Sequence, residues 1–148
     1  MNVQIKPELL DQKLKRAYLV LDKASKESNS NSELTPTRAA VLLAIDSQHG
    51  TPVTQIGPAI GQDARSLYRV FEFMEQSKWV VKKSDKEDTR ITRVCLTNLG
   101  KKKKELAKEY NKNVGKQITQ TLSNKKLSKL SELLDELLNN LELSNHKR

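Results

Sequence analysis

A chain of 148 residues can bury one ordinary hydrophobic core without disulfides or metals. Its 27 Lys and Arg against 18 Asp and Glu leave a net charge of +9, and residues 53–104, with 12 basic and 6 acidic side chains, carry +6 of it. One cysteine excludes a disulfide framework and fits a reducing cytoplasm, and the lack of a long apolar run or signal-peptide core argues against secretion or a membrane span.

Helices are expected through most of the chain. Pro7 suits a first turn, and Leu9, Leu10, Leu14, Ala17, Tyr18 and Leu21 recur at helical spacing to about residue 28. Ser28-Asn29-Ser30-Asn31-Ser32 reads as a polar break. Thr35 and Pro36 then supply an N-cap and a first position for a second helix, whose crowded Ala39, Val41, Leu42, Ala44 and Ile45 predict burial. Gly50-Thr51-Pro52 ends that region, and a short helix around Gln55–Ile60 is stopped by Gly61.

Asp63 is a good N-cap for a helix running to about Lys78. Its buried stripe is Leu67, Val70, Phe71 and Met74, at i, i+3, i+4 and i+7. Arg65, Arg69 and Glu72 therefore point the other way, which is the logic of a helix-turn-helix with outward arginines. An ordinary helical hairpin with solvated arginines has the same pattern. The next segment separates the two readings. Trp79–Val81 and Ile91–Leu96 read as strands around a charged tip, Lys82–Arg90, so a β-hairpin wing follows the candidate reading helix directly. Arg90 in that wing suits the negative potential of a narrow minor groove.

Thr97 caps a further helix through Leu106, Tyr110 and Val114 to about Leu122. The run Lys101–Lys104 in its first turns is either a solvated face or a set of flanking phosphate contacts. A last helix carries Leu127, Leu130, Leu134, Leu137 and Leu141 at three- and four-residue steps, widened by Leu133 and Leu138. With the apolar first helix, this stripe is expected to bury itself in a partner chain. Cys95, alternating with Arg93 in a strand, reads as a half-buried packing residue rather than an oxidant sensor. Neither His49 nor His146 lies beside a Cys or acidic cluster with ligand spacing, and there is no phosphate loop or nucleophile elbow, so neither a cofactor nor an enzyme is expected.

The stretch IGPAIGQDARSLYRVFEFMEQSKWV (Ile56–Val80), followed by DKEDTRITRVCLTNLG (Asp85–Gly100), resembles the MarR family of winged-helix regulators. The wing pattern is the specific part: Asp88-x-Arg90, an apolar strand, then Leu96-Thr97-x-x-Gly100. The resemblance implies a mainly α fold with a small β-hairpin wing. Its winged helix-turn-helix would span 35–100, flanked by dimerisation helices at 1–30 and 105–148 within a single domain. It implies a triangular homodimer that binds double-stranded DNA and regulates genes, often in response to a small anionic or phenolic effector. Base contacts would come from Arg65, Ser66, Tyr68 and Arg69, and the wing arginine would be Arg90, held in place by Asp88; Gln62 and Lys86 are further DNA-binding candidates. Leu9, Leu10, Leu14, Leu130, Leu134, Leu137 and Leu141 would form the dimer interface. Pro58 inside the supporting helix and Lys78 at a C-cap usually held by glycine depart from the family pattern. Two other readings use the same features: a low-specificity architectural DNA binder, and a winged-helix module for protein interaction.

Overall fold

The computed structural model describes residues 6–27 and 33–147. The polar break at 28–32 lies outside the described residues. The order is α1 (Pro7–Glu27), α2 (Pro36–Ala44), β1 (Thr51–Pro52), α3 (Val53–Ile60), α4 (Ala64–Gln76), β2 (Val80–Ser84), β3 (Thr92–Leu96), α5 (Asn98–Thr119) and α6 (Asn124–His146). The chain forms two compact units, Met1–Lys112 and Asn113–Arg148.

In the first unit, α2 begins where its capping residues dictate. The Thr35 hydroxyl accepts the Arg38 N–H at 3.2 Å, and Pro36 fills a position whose backbone donor would have no helical partner. Ala39, Val41, Leu42 and Ile45 are fully buried, and with Ile56, Leu67, Met74, Trp79, Val80 and Val94 they form the core between the helices and the sheet. Burying side chains of this size is worth about 1.5–3 kcal/mol each, which makes this cluster the main driving force for the unit.

The sheet has three antiparallel strands in the order β1-β3-β2. The hairpin pairs Val80 with Leu96 and continues in register to Ser84 with Thr92. Two expectations are corrected here. Thr51-Pro52 is an edge strand against Val94 and Arg93, not merely the end of α2, and Pro52 is tolerated because an edge strand needs no donor on its open side. The first wing strand begins at Val80, because Trp79 belongs to the turn that leaves α4.

That turn explains the absent glycine. The Trp79 N–H reaches the Met74 carbonyl at 2.8 Å and the Lys78 N–H reaches that of Glu75 at 3.0 Å, which is a Schellman closure. It puts Lys78 in the left-handed region at φ 61°, a conformation that costs a side-chain-bearing residue about 1 kcal/mol relative to glycine. The paired bonds and the burial of Trp79 hold it there. By contrast, α3 runs without a break through Pro58 and starts at Val53, two residues earlier than the sequence suggests. It ends at Gly61, left-handed at φ 68°.

The second unit contains the end of α5 and all of α6. Ser123 caps α6 through the Lys126 N–H, and the helix has no buried residue. Leu130, Leu133, Leu134, Leu137, Leu138 and Leu141 are 36–55% exposed.

Candidate nucleic-acid interface

The α3–α4 turn is closed by backbone geometry. Gly61 donates to the Gly57 carbonyl, as does the Gln62 N–H at 3.0 Å, and a Cβ on Gly57 would lie 2.7 Å from the Gln62 carbonyl oxygen. Asp63 then caps α4, its carboxylate accepting the Ser66 N–H at 2.7 Å, a bond that also holds its pKa below the ordinary value. Leu67, Phe71 and Met74 are buried and Val70 partly so. The opposite face therefore presents Arg65, Ser66, Tyr68 and Arg69 to solvent, Tyr68 at 68% exposure, and Gln62 is exposed in the turn that precedes the helix. Among the described residues neither Arg65 nor Arg69 makes an ion pair, so both guanidinium groups are available to an anion or a base edge.

The wing is more ordered than its charged sequence implies. Arg90 donates from Nε and Nη2 to the two oxygens of Asp88 at 3.0 and 2.9 Å, and its backbone N–H adds a third bond at 3.1 Å. This bidentate fork fixes an otherwise exposed arginine and draws the Asp88 pKa down. Asp88 thus stands beside the wing arginine. Lys86 is exposed on the same tip.

Asp85 was missed from the sequence. One of its oxygens accepts the N–H groups of Glu87 at 2.8 Å and Asp88 at 3.1 Å, while the other is paired with Arg93, which also donates to the Gly50 carbonyl at 3.3 Å. Its backbone N–H closes the tip onto Ile91. Asp85 therefore holds both strand ends and the segment carrying Asp88. A charged residue in a charged run gave no sign of this; an Asp at the first position of a turn was the available signal.

The Arg93 guanidinium, with the Asp88 and Glu87 amides, lowers the Asp85 carboxyl from 3.8 to about 2. A carboxyl depressed on folding stabilises the wing above its unfolded value and loses that contribution as pH falls through its folded value. The Asp85 carboxyl carbon followed by NMR should titrate near 2, with the Glu87 and Asp88 amide resonances unmoved between neutral pH and about pH 4. A midpoint close to 4 would show that the latch does not form.

The lysine run at 101–104 divides in two. Lys103 lies 5.0 Å over the Trp79 ring and 3.4 Å from the Glu33 carboxylate, and Lys104 donates to the Ile45 carbonyl. These two are fastened to the fold, while Lys101 and Lys102 remain exposed. Cys95 is a half-buried free thiol in β3. In α1, Leu9, Leu10 and Leu14 are 39–48% exposed. Among the described residues no group of His, Cys, Asp or Glu could hold a metal, and no helix is long and apolar enough to cross a membrane.

A capped, outward-facing α4 followed by a three-stranded sheet with a latched hairpin tip defines a winged helix-turn-helix fold. Solved structures of transcriptional regulators share it. BpsR of Bordetella bronchiseptica, studied for regulation of its DNA binding by 6-hydroxynicotinic acid, aligns over 87% of this chain and 98% of its own with TM-score 0.77 and 21% identity. The repressor CouR of Rhodococcus jostii RHA1, solved on a 23-mer DNA duplex, aligns over 88% and 93% with TM-score 0.77 and 24% identity. A MarR-family regulator from Rhodococcus sp. RHA1 aligns over 90% and 95% with TM-score 0.76 and 15% identity. No family model matches the chain. No curated protein matches it in sequence.

Proposed function

We propose that this chain is a MarR-type transcription regulator, a repressor rather than an enzyme, that acts as a cytoplasmic homodimer on pseudo-palindromic double-stranded DNA. The observation that carries this reading is the pairing of two devices within one unit. The unpaired Arg65 and Arg69 stand on the solvent face of a capped helix, and the hairpin that follows pairs Arg90 bidentately with Asp88. The first suits base edges in a major groove and the second suits a neighbouring minor groove. Gln62, Ser66, Tyr68 and Lys86 extend the same surface. The likeness to BpsR and CouR supports DNA as partner, and 6-hydroxynicotinic acid at BpsR supports a small anionic or phenolic effector here.

The two devices carry different roles, which separates specific reading from architectural binding. An arginine paired bidentately with guanine O6 and N7 is worth about 1–3 kcal/mol of base discrimination. Arg69→Ala should therefore flatten preference at one or two positions of a motif selected from random DNA. Arg90→Ala should weaken binding to many sequences and lower the salt dependence by roughly one phosphate contact. Both variants stay folded, because neither side chain belongs to the core. An unchanged motif in Arg69→Ala, with relaxation at central positions in Arg90→Ala, would reverse the assigned roles.

A further inference from the structure

A groove of about 530 Å³ lies between α3, α4 and β2, within the range of small-molecule sites. Its walls include Val53, Pro58, Leu67 and Phe71, and its rim carries Tyr68, Glu72, Glu75 and Lys82. The sign of that rim is opposite to the chain's net charge of +9. Among the described residues Lys82 is the groove's one cationic side chain, and it is already engaged: its Nζ stands 3.6 Å from the Glu75 carboxylate and 5.9 Å from the Phe71 ring centroid. Glu72 makes no ion pair among the described residues. The protein's own ammonium group thus occupies a position defined by a carboxylate and an aromatic face, with a second carboxylate left over.

We propose that this groove binds a small aromatic cation, whose charged group replaces the Lys82 ammonium between Glu75 and Phe71 while its ring lies against Pro58 and Tyr68. Apolar walls favour a ring, and two carboxylates in a groove whose one ammonium already stands near the Phe71 ring favour a positive charge. The same carboxylates repel the anionic effectors considered above, so this site is not theirs. Tyr68 on the solvent face of α4 and Gln62 in the turn before it both line the groove and belong to the proposed DNA surface. A bound cation therefore competes with DNA, a consequence that rests on the proposed DNA-binding reading.

Benzyltriethylammonium, with 4-tert-butylbenzoate as the anionic comparator, tests the site by calorimetry and amide NMR on the full chain without DNA. The cation should bind saturably and shift resonances around Phe71, Glu75 and Lys82, and the benzoate should do neither. The variants give opposite signs. Glu75→Gln should weaken the cation about tenfold, whereas Lys82→Met, which removes the internal competitor, should tighten it about tenfold. Circular dichroism establishes that each variant is folded. Equal binding of the benzoate, no binding, or weakening in both variants overturns the proposal. In a second arm, saturating cation should lower the affinity of the unmodified chain for a DNA duplex and leave Glu75→Gln much less affected. Binding without any effect on DNA affinity would overturn the competition alone. A chain that binds no DNA fails the regulatory reading, while the titration without DNA still decides the groove.

Discussion

If the chain dimerises as proposed, replacing Leu134 and Leu137 together with glutamate should leave a monomer or a partly unfolded chain and lower affinity for a full DNA site by about 100-fold or more. Both leucines lie on α6, a 23-residue helix with no buried residue, and they stand in the middle of its leucine stripe at 36% and 37% exposure. A helix that shows its leucines to water gains little from burial, and contiguous apolar surface of this extent marks an association face. The leucines of α1, Leu9, Leu10 and Leu14, are left in the same condition. A second copy of the chain is the proposed cover for both. Two glutamates introduced into such an interface would face desolvation without partners. The DNA penalty then follows from linkage, since two half-sites held together bind far more tightly than either alone. Sedimentation and DNA titration of the variant measure both effects. A folded monomer with unchanged affinity for a palindromic site would remove the proposed interface.

Gly100→Ala should destabilise the first unit by about 3 kcal/mol or more, through overpacking against backbone that cannot move aside. Gly100 stands in the first turn of α5, its N–H donating to the Thr97 hydroxyl at 3.0 Å. Thr97 is itself tied to the turn after α4, its N–H bonded to the Trp79 carbonyl at 3.0 Å and its hydroxyl to that of Lys78 at 2.6 Å. These bonds draw α5 so close that a Cβ on Gly100 would overlap the Trp79 carbonyl oxygen and lie 2.9 Å from its carbon. Relief requires moving α5 away from Trp79, a fully buried residue that packs edge-on to Phe73 with ring centroids 5.3 Å apart. Thermal unfolding should therefore shift down by about 10 °C or more. An unshifted transition would mean that α5 is free to retreat, contrary to the packing described.

The same pair of residues illustrates what can be read before folding. Thr97 and Gly100 stand three apart in the sequence; Thr97 is legible as a helix cap, and the Thr-x-x-Gly spacing as part of the family resemblance. The reason for glycine is not local, because the atom it avoids belongs to a residue 21 positions earlier. The α4 stripe was legible for the opposite reason: Leu67, Val70, Phe71 and Met74 repeat at the helical period, so burial on one face predicts exposure on the other. The strand Thr51-Pro52 was illegible, being two residues long with a partner about 42 residues away. Asp85 and Arg93 were hidden in the same manner. A run of charged side chains reads as solvated until the hairpin register brings residues 85 and 93 together. The lysines at 101–104 show the limit of both solvated-face and phosphate-contact readings, since Lys103 and Lys104 are held by Trp79, Glu33 and Ile45.

Selection of bound duplexes from a random pool tests most directly whether two copies of this winged helix read DNA as a pair. Two-fold symmetry sets paired reading helices about one helical turn apart, roughly 34 Å, on one face of the duplex. The enriched sequences should therefore contain two inverted half-sites with centres about 10 bp apart, retained under excess nonspecific competitor. Enrichment of a single asymmetric half-site occupied by one chain, or no enrichment above the starting pool, would contradict paired reading.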